Sequence, residues 1–355
     1  MKILFICPEM NGYGGTETVV GKVTSFLAEH TSYDIQLILT SQVRNRKWLD
    51  SISPNVKVHA ISHNKLIKAV SLVRILTTID NNDKVVILAA NVIPFANKLR
   101  SLFHKQWKII SWIHYSLTHQ KMFDPHNLLG ADEHWAISSS IRDQLIRLGV
   151  AKGKIKLIYN PIDQYKGQLN IPIQDETIRL MYVGRILFKG QKNLSELLSA
   201  IAKLKQMGKS VEVHIFGQGP DIELCKKFIK DHDICNSVVW HGWTKDVWQE
   251  AIDHIHPAAL VMTSAFEGLP MVMLEAMSHG IACVSSTFEG YSDVLKENVN
   301  GITYQLGNVD QLAHQIVQLH ILRLDPVKIR ESVASFYEPK YFERLLNIIG
   351  SMSGL

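Results

Sequence analysis

The sequence predicts an α/β protein made of two doubly wound, Rossmann-like domains. Apolar, β-rich runs alternate with longer helical patterns along most of the chain. A polar, proline-containing stretch from 161 to about 177 interrupts this alternation, which then restarts. The length of 355 residues exceeds one ordinary domain and suits two. We therefore predict domains at 1–162 and 163–337, with a C-terminal helix at about 338–355 that crosses back onto the first.

In the first domain, the run KILFIC predicts a buried strand, and a glycine loop follows it. The segment ETVVGKVTSFLAEH comes next and has apolar residues at helical spacing. Further strands are predicted at DIQLILT, VKVHAI, KVVILAA, KIISWIH and DEHWAIS. The helical segment SIRDQLIRLG closes at Gly149, and KIKLIYNP ends the domain.

In the second domain, strands and helices again alternate. Strands are predicted at IRLMYVG, VEVHIFG, SVVWHGW, AALVMTS and IACVSS, and helices at NLSELLSAIAKLKQMG, IELCKKFIKDH and MVMLEAMSHG. The last helical stretch, from 329 to 352, is expected to break at Pro339. Open parallel sheets bind ligands beyond the carboxyl ends of their strands, so two such domains are expected to face each other across a ligand-binding cleft.

The composition favours a soluble globular protein, with 46% hydrophobic and 20% charged residues. The four cysteines lack metal-site spacing and are expected to be reduced thiols. The N-terminal apolar run is too short for a signal peptide, and no window is long enough to span a membrane. We therefore expect a cytoplasmic protein.

The charge is unevenly distributed along the chain. Residues 1–160 contain 20 Lys and Arg against 11 Asp and Glu, whereas the remainder contains 18 against 22. A basic first half indicates an anionic partner, or a solvated surface without one. The basic segments lack the repeated aromatic residues of a nucleic-acid-binding strand face, which argues against nucleic acid.

The segment SAFEGLPMVMLEAMSHGIACVSS places two acids, Glu267 and Glu275, in apolar surroundings. Pro270 suits the first turn of a helix and Gly280 its C-terminal end. Glu267 would then lie in a strand-to-helix loop, with Glu275 one turn into the helix. The amides expected to face a phosphate at this helix start belong to Gly268, Leu269, Met271 and Val272. The two carboxylates would flank that phosphate and accept hydrogen bonds from hydroxyl pairs.

This segment closely resembles the Glu-(seven residues)-Glu element of the retaining family-four glycosyltransferases, which have the GT-B fold. The resemblance covers residues 1 to about 305 and is strongest from 180 to 285. It implies that Glu267 contacts the hydroxyls of the donor sugar and Glu275 the ribose of its nucleotide.

The segment YVGRILFKGQKNLSELLSAI resembles the Gly-Arg…Lys element of the same family, which binds the donor diphosphate. Arg185 matches this element directly. Lys192 matches by its place at a helix start and Lys189 by spacing, and we prefer Lys192. Two cations here would neutralise the leaving diphosphate, the task that Mg²⁺ performs in other enzymes. We therefore expect no metal ion at this site. We also expect no cofactor, because the UDP-sugar is a substrate.

Two glycine-containing turns also resemble family motifs. HIFGQGP corresponds to a GxGP turn, in which Gly217 and Gly219 would let the backbone approach the nucleotide. WHGW, with Gly242 and Trp243, corresponds to the segment whose backbone reads the base. Each turn alone is common loop chemistry.

The first domain contributes a glycine loop and a histidine. NGYGGTETVV contains glycines 12, 14 and 15 rather than GxGxxG, which argues against a dinucleotide site. It resembles the GGxE loop of the family, which implies that amides at Gly14 and Gly15 lie against donor phosphate and acceptor. Glu17 could equally be an ordinary helix-start acid. His114 follows a strand where the family has a histidine near the donor sugar, so we assign it to the reacting centre.

Within the family, the motifs are most similar to enzymes that form the α-1,6-galactosyl linkage to a glucose of the lipopolysaccharide core, with UDP-galactose as donor. The resemblance implies a retaining, front-face displacement. The sequence leaves open a transferase for another UDP-hexose or UDP-N-acetylhexosamine that acts on a surface polysaccharide or lipid-linked glycan, a nucleotide-sugar epimerase, and a binder without turnover. The sequence has EGLP where the family commonly has EGFG, so this motif does not determine the identity of the donor sugar.

Two basic, apolar segments suit an anionic membrane surface. NKLIKAVSLVRILTTI contains Lys65, Lys68 and Arg74, and NKLRSLFHKQWK mixes Lys98, Arg100, Lys105 and Lys108 with Phe103 and Trp107. The alternative is a buried helix whose lysines extend to solvent. With a lipopolysaccharide core or similar glycolipid as acceptor, we expect a peripheral protein on the inner face of the inner membrane.

Overall fold

A computed structural model describes residues 1–10, 14–41, 47–62, 64–173 and 175–351 of the chain. The chain divides into two compact units, each with a parallel sheet. Unit 1 comprises Met1–Pro161 and Pro339–Leu355, and unit 2 comprises Ile162–Glu338. Gly12 of the predicted glycine loop lies outside the described residues.

The described part of unit 1 forms a seven-stranded sheet in the order β3-β2-β1-β4-β5-β6-β7. The strands are β1 (Lys2–Cys7), β2 (Asp34–Leu39), β3 (Lys57–Ala60), β4 (Lys84–Ile87), β5 (Lys108–Ile113), β6 (Glu133–Ala136) and β7 (Ile155–Leu157). The helices are α1 (Gly15–His30), α2 (Lys47–Asp50), α3 (Lys65–Thr77), α4 (Ile93–Leu102) and α5 (Ser139–Arg147). The central strands are continuous apolar runs because helices cover both faces of a sheet of this kind.

Unit 2 forms a six-stranded parallel sheet in the order β10-β9-β8-β11-β12-β13. The strands are β8 (Thr177–Val183), β9 (Ser210–Phe216), β10 (Val238–Gly242), β11 (Ala259–Met262), β12 (Cys283–Ser286) and β13 (Gly301–Tyr304). The helices are α6 (Leu194–Gln206), α7 (Ile222–Asp231), α8 (Val247–Glu250), α9 (Met271–Ser278), α10 (Val309–Leu322) and α11 (Pro326–Ser332). Strand order reverses direction at β8 and β11, which are paired at the centre of the sheet.

The C-terminal helix α12 (Glu338–Ser351) belongs to unit 1. Phe342 stacks on Phe26 of α1, with ring centroids 3.8 Å apart, and Arg344 donates to the carbonyl oxygen of Ile158 at 3.3 Å. These contacts tie the end of the chain to both the first helix and the last strand region of unit 1.

Three local features differ from the sequence-based expectation. Pro270 is the N-cap of α9 rather than its first residue, with φ of −77° and ψ of 80°. Pro339 is the second residue of α12, and the break between the last two helices lies just before it, at 333–337. Strand β13 and helices α2, α8 and α10 were not predicted. The run GITY of β13 is short, contains a glycine and offers little β-pattern.

Candidate functional site

Glu267 lies in the loop that follows β11, with its side chain almost buried. Its Oε1 accepts hydrogen bonds from Nζ of Lys192 at 2.7 Å and from Oγ of Ser264 at 2.6 Å. The side chain of Lys192 is itself only 19% exposed. The structure therefore pairs the first acid of the segment with one of the two candidate lysines, and Ser264 is a partner that the sequence did not reveal.

The loops that carry this pair are bonded to each other. The hydroxyl of Thr263 donates to the carbonyl oxygen of Lys192 at 2.9 Å, and the amide of Ala265 donates to that of Gln191 at 2.8 Å. Both loops leave the carboxyl ends of the paired central strands β8 and β11. The pair is consequently held by the backbone at the point of strand-order reversal, where sheets of this type bind ligands.

Glu275 lies on α9 and has an aromatic neighbour. Its Oε2 accepts a hydrogen bond from Nε1 of Trp248, which lies on α8, at 3.3 Å. The Trp248 ring stacks on His279, with centroids 5.6 Å apart, and His279 also packs on Tyr165 at 4.1 Å. An indole N–H is a donor that needs an acceptor, but no spacing in the sequence connects Trp248 with Glu275. Sequence reasoning therefore missed it.

Arg185 and Lys189 lie in the exposed loop after β8. The amides of Gly184 and Ile186, on either side of Arg185, donate to the carbonyl oxygens of Phe216 and Gln218, each at 3.0 Å. The start of the loop that carries Arg185 is thus bonded to the loop after β9.

Gly217 and Gly219 are required by this contact between the two loops. A Cβ on Gly217 would lie 1.8 Å from the carbonyl oxygen of Gly184, and one on Gly219 would lie 2.0 Å from that of Ile186. Gly217 also has a φ of +141°. The two glycines therefore allow a close approach by the neighbouring backbone, and their assignment to the nucleotide stays a prediction.

Gly242 and Trp243 lie at the end of β10. The amide of Gly217 donates to the carbonyl oxygen of Gly242 at 2.7 Å, and the Trp243 side chain is 64% exposed. An open depression of about 430 Å³ adjoins this turn. Its lining consists of Gly217, Gln218, Gly219, Ile222, Lys226, Trp240 and Gly242.

The amides at the start of α9 do not all face outward as predicted. The amide of Met271 donates to the carbonyl oxygen of Leu269 at 2.9 Å, so the expectation that it points at a ligand is wrong for this structure. The side chain of Leu269 is buried, while Gly268 and Val272 are partly exposed. The tight turn at Pro270 accounts for the bond between its two neighbours.

In unit 1, His114 directly follows β5 and is 8% exposed. Its ring packs on Trp112 at 4.7 Å between centroids, and its buried Nε2 has no hydrogen-bond partner within the described part of the chain. Burial lowers the pKa of His114 to about 3. The imidazole is therefore neutral at physiological pH, with a ring nitrogen that lacks a protein partner.

The glycine loop of unit 1 is described from Gly14 onward. Gly14 is the N-cap of α1 and Gly15 its first residue, and both are exposed. Glu17 is buried, and its Oε2 would lie 2.5 Å from a Cβ on Gly14. The backbone oxygen of Glu17 accepts from Nε1 of Trp48 at 2.8 Å. Glu17 is thus an acid of the first turn of α1, as the second interpretation of the sequence expected, and its side chain folds back over Gly14 instead of extending into solvent.

The described residues contain neither a cluster that could hold a metal ion nor a helix that could span a membrane. Across the described ranges, no group of three His, Cys, Asp or Glu side chains is arranged to hold a metal ion. In the same part of the chain, no helix has the length and apolar character needed to cross a membrane.

Comparison with known proteins identifies relatives over the whole chain. A family model described as "Glycosyl transferases group 1" matches residues 166–333. The protein of Escherichia coli (strain K12) named lipopolysaccharide 1,6-galactosyltransferase is 32% identical over an alignment of 359 positions that covers 98% of each chain. The Salmonella typhimurium protein of the same name is 32% identical over an alignment of 362 positions that covers 99% of each chain.

Solved structures agree with these matches. The apo form of the lipopolysaccharide outer core galactosyltransferase WaaB superposes with a TM-score of 0.86 at 30% identity, covering 99% of both chains. The HepE protein of Anabaena in complex with UDP superposes with a TM-score of 0.79 over the whole of both chains, at 16% identity. The second likeness concerns the fold alone.

Proposed function

The chain belongs to the group 1 glycosyltransferases, hexosyltransferases with the GT-B fold, and we propose that it transfers galactose from UDP-galactose to a glucose of the lipopolysaccharide core in an α-1,6 linkage. The observation that carries the proposal is that two proteins named for this reaction match the chain from end to end. Because the family consists of transferases, membership argues against a nucleotide-sugar epimerase and against a binder without turnover.

Two carboxylates of unit 2 would hold the donor at its two sugars. Glu267 would accept hydrogen bonds from hydroxyls of the galactose, and Glu275 from the ribose. Ser264 and Lys192 support this role for Glu267, because both donate to one carboxylate oxygen and so fix its plane. A preorganised acceptor needs no reorientation when the donor binds.

The leaving UDP would be stabilised by cations. Arg185 and Lys192 lie on the same loop after β8, and Lys192 is already bonded to the acid assigned to the sugar. As the bond to the anomeric carbon breaks, negative charge grows on the diphosphate, and fixed positive charge lowers the energy of that state. These residues support a metal-independent reaction.

We assign a retaining, front-face displacement to this reaction. The acceptor hydroxyl would attack from the side that the diphosphate leaves, and the leaving phosphate would take the proton. The neutral His114 would serve as a hydrogen-bonding group toward the sugar, since its low pKa makes it a poor proton carrier at neutral pH. Gly14 and Gly15 would offer amides to the donor phosphate and acceptor.

A panel of nucleotide sugars tests the proposal. Purified protein is incubated with UDP-galactose, UDP-glucose, UDP-N-acetylglucosamine or a GDP-sugar, with and without core-truncated lipopolysaccharide, and release of the nucleoside diphosphate is measured. We expect release with UDP-galactose that requires the acceptor and persists in EDTA. The anomeric coupling and linkage of the product are read by NMR.

The outcomes separate the parts of the proposal. Preference for another UDP-sugar would replace the donor, a β-linked product would exclude retention, and loss of activity in EDTA would exclude metal independence. A glycolipid acceptor also leads us to propose that the protein works peripherally at the inner face of the inner membrane, on an anionic lipid surface.

A further inference from the structure

The first two turns of α3 expose apolar side chains that none of the described residues of unit 1 covers. Leu66 is 78% exposed, Ile67 53% and Val70 68%, whereas the buried residues of this helix are Leu72 and Leu76 in its second half. We call residues 65–70 the α3 start. Large apolar side chains grouped at one exposed helix end indicate an interaction surface rather than core packing.

The charges of the α3 start oppose the usual preference of a helix N-terminus. Lys65 and Lys68 lie in the first turns, and the helix has no acidic residue from Lys65 to Thr77. Because the amide dipoles make a helix N-terminus positive, cations there are unfavourable by about 0.3–1 kcal/mol. In contrast, α1 and α6 each have a glutamate in the first turn. The lysines therefore do not serve the stability of the helix.

The helix nevertheless begins at a well-formed cap. The side-chain oxygen of Asn64 accepts from the amides of Leu66 at 2.9 Å and Ile67 at 3.3 Å. This bonding fixes where the exposed residues point from the first turn onward. The α3 start is thus an ordered surface that combines apolar side chains with cations.

The α3 start lies at the edge of unit 1 that carries the proposed reacting residues. Helix α3 follows β3, and in a parallel sheet a helix after a strand begins at the carboxyl edge. His114 follows β5, and Gly14 lies in the loop after β1, so both are at this same edge. A surface bound here would therefore lie at the same edge of the sheet as the acceptor-side residues of unit 1.

The second basic segment, NKLRSLFHKQWK at 97–108, is less exposed than the sequence-based expectation of a membrane-facing surface requires. Arg100 is bonded to Asp132 and to the carbonyl oxygen of Trp107, and Trp107 is 1% exposed. Only Leu102 and Phe103 of its apolar residues are exposed, and they end α4 at the amino edge of the sheet. The prediction that Arg100 and Trp107 face a membrane is wrong.

We propose that the α3 start docks on an anionic lipid bilayer, with Leu66, Ile67 and Val70 inserted at the headgroup boundary and Lys65 and Lys68 against lipid phosphates. The lysines match the anionic headgroups at the surface of such a bilayer, and the apolar side chains match the acyl chains beneath the headgroups. The proposal takes its lipid setting from the proposed function, because a glycolipid acceptor is held in the bilayer.

Vesicle co-sedimentation tests the surface on the intact protein. Vesicles of phosphatidylcholine alone are compared with vesicles that also contain phosphatidylglycerol. One variant combines Leu66→Gln, Ile67→Gln and Val70→Gln, and a second combines Lys65→Gln and Lys68→Gln. The matched control, Leu102→Gln with Phe103→Gln, removes exposed apolar side chains from the other edge. Circular dichroism verifies that each variant is folded.

We expect the wild type and the control to bind anionic vesicles and not neutral ones. The lysine variant should bind about fivefold more weakly for each lysine lost, and the apolar variant at least roughly tenfold more weakly. Equal binding by the wild type and both variants, or equal binding to neutral vesicles, overturns the proposal. A change in sedimentation coefficient without a change in vesicle binding would do the same, by assigning the surface to a second copy.

Failure of this proposal is distinguishable from failure of the proposed function. Transfer to a soluble core oligosaccharide should be unchanged in the α3 variants, whereas transfer to acceptor embedded in anionic vesicles should fall with binding. A different donor in the nucleotide-sugar panel would leave the vesicle result unaffected.

Discussion

Lys192 and Glu267 form a nearly buried ion pair, so the protein has a cation ready beside the acid before any substrate arrives. Ser264 adds a second donor to the same oxygen. Burial of such a pair costs desolvation energy, so the pair is weak evidence for a contribution to stability, and the role proposed for it is in the reaction. Among single residues, we therefore expect the loss of the Lys192 side chain to cause the largest decrease in kcat.

Replacing Lys192 by Met tests this role against the neighbouring lysine. We expect Lys192→Met to lower kcat by about 10²–10³, because one fixed cation no longer offsets charge on the departing diphosphate. The control is Lys189→Met, which removes an exposed lysine from the same loop and should change kcat by less than about threefold. Steady-state UDP release measures both. The reverse ranking would assign the diphosphate to Lys189.

Replacing Trp248 by Phe tests whether this side chain orients Glu275. Trp248→Phe removes the hydrogen bond to Glu275 but keeps an aromatic ring against His279. Loss of a bond to a charged group is worth about 1.5–3 kcal/mol, so we expect KM for the donor to rise roughly tenfold with kcat nearly unchanged. Binding of UDP and of 2′-deoxy-UDP is then compared by calorimetry. If Trp248 orients Glu275 toward the ribose, the preference for UDP should shrink in the variant, whereas Trp243→Phe should leave it intact.

At the scale of elements, the two glycines after β9 fix the loop that carries Arg185. Gly217→Ala would push a methyl group into the carbonyl oxygen of Gly184, in addition to the backbone strain at a positive φ. We expect a loss of about 1–3 kcal/mol in the free energy of unfolding from the clash, together with reduced turnover as the Arg185 loop moves. Chemical denaturation and UDP release check the two effects.

Gly208→Ala is the matched control for this substitution. Gly208 also has a positive φ, of +70°, but a Cβ there meets nothing within 4 Å. Strain alone should cost about 1–2 kcal/mol, with turnover unchanged. Equal losses of activity in the two variants would mean that the contact with Gly184 does not position Arg185.

Elements with a strong local pattern were predictable from sequence, and contacts between elements were not. The apolar runs of β1 and β5 and the periodic helix α6 have clear patterns, whereas β13 is a four-residue run that begins with glycine. The acids of the segment at 264–286 were found by spacing. Trp248 and Ser264 were not predicted as their partners. Trp248 is 27 residues from Glu275, and a serine just after a strand, such as Ser264, is common, so neither contact produces a pattern in the sequence.

At the scale of the whole molecule, each unit closes on itself. Ile162 and Tyr337 form a parallel bridge that joins the two ends of unit 2, and α12 packs on α1 in unit 1. The chain therefore passes between the units twice, near 161–162 and 338–339. The excess of basic residues at 1–160 belongs to unit 1, the same unit that carries the α3 start.

Both units contain histidines whose pKa values are lowered by full or partial burial, and these predict how the molecule responds to acid. Burial lowers the pKa of His114 to about 3, and burial together with Lys154 lowers that of His134 to about 4. The pKa values of His241, His279 and His320 in unit 2 are lowered as well, chiefly by burial. An unfolded histidine has a pKa near 6.5, so below that value the unfolded chain binds more protons than the folded one. Folding stability must then decrease as the pH falls.

We therefore expect the free energy of unfolding to be greatest at about pH 7.5–8, above the pKa of an unfolded histidine, and to fall steadily from there toward pH 4. Urea denaturation across this range measures it. Burial raises the pKa values of Glu133 and Glu196, so their protonation increases the free energy of unfolding as the pH falls. These two carboxyls are outnumbered by the five histidines, so the net change is a decrease. His134→Asn should flatten the fall, since its amide can still bond to Ser111, while His30→Asn at an exposed position should not. A stability that rises on acidification would contradict the assignment of these histidines as neutral, buried groups.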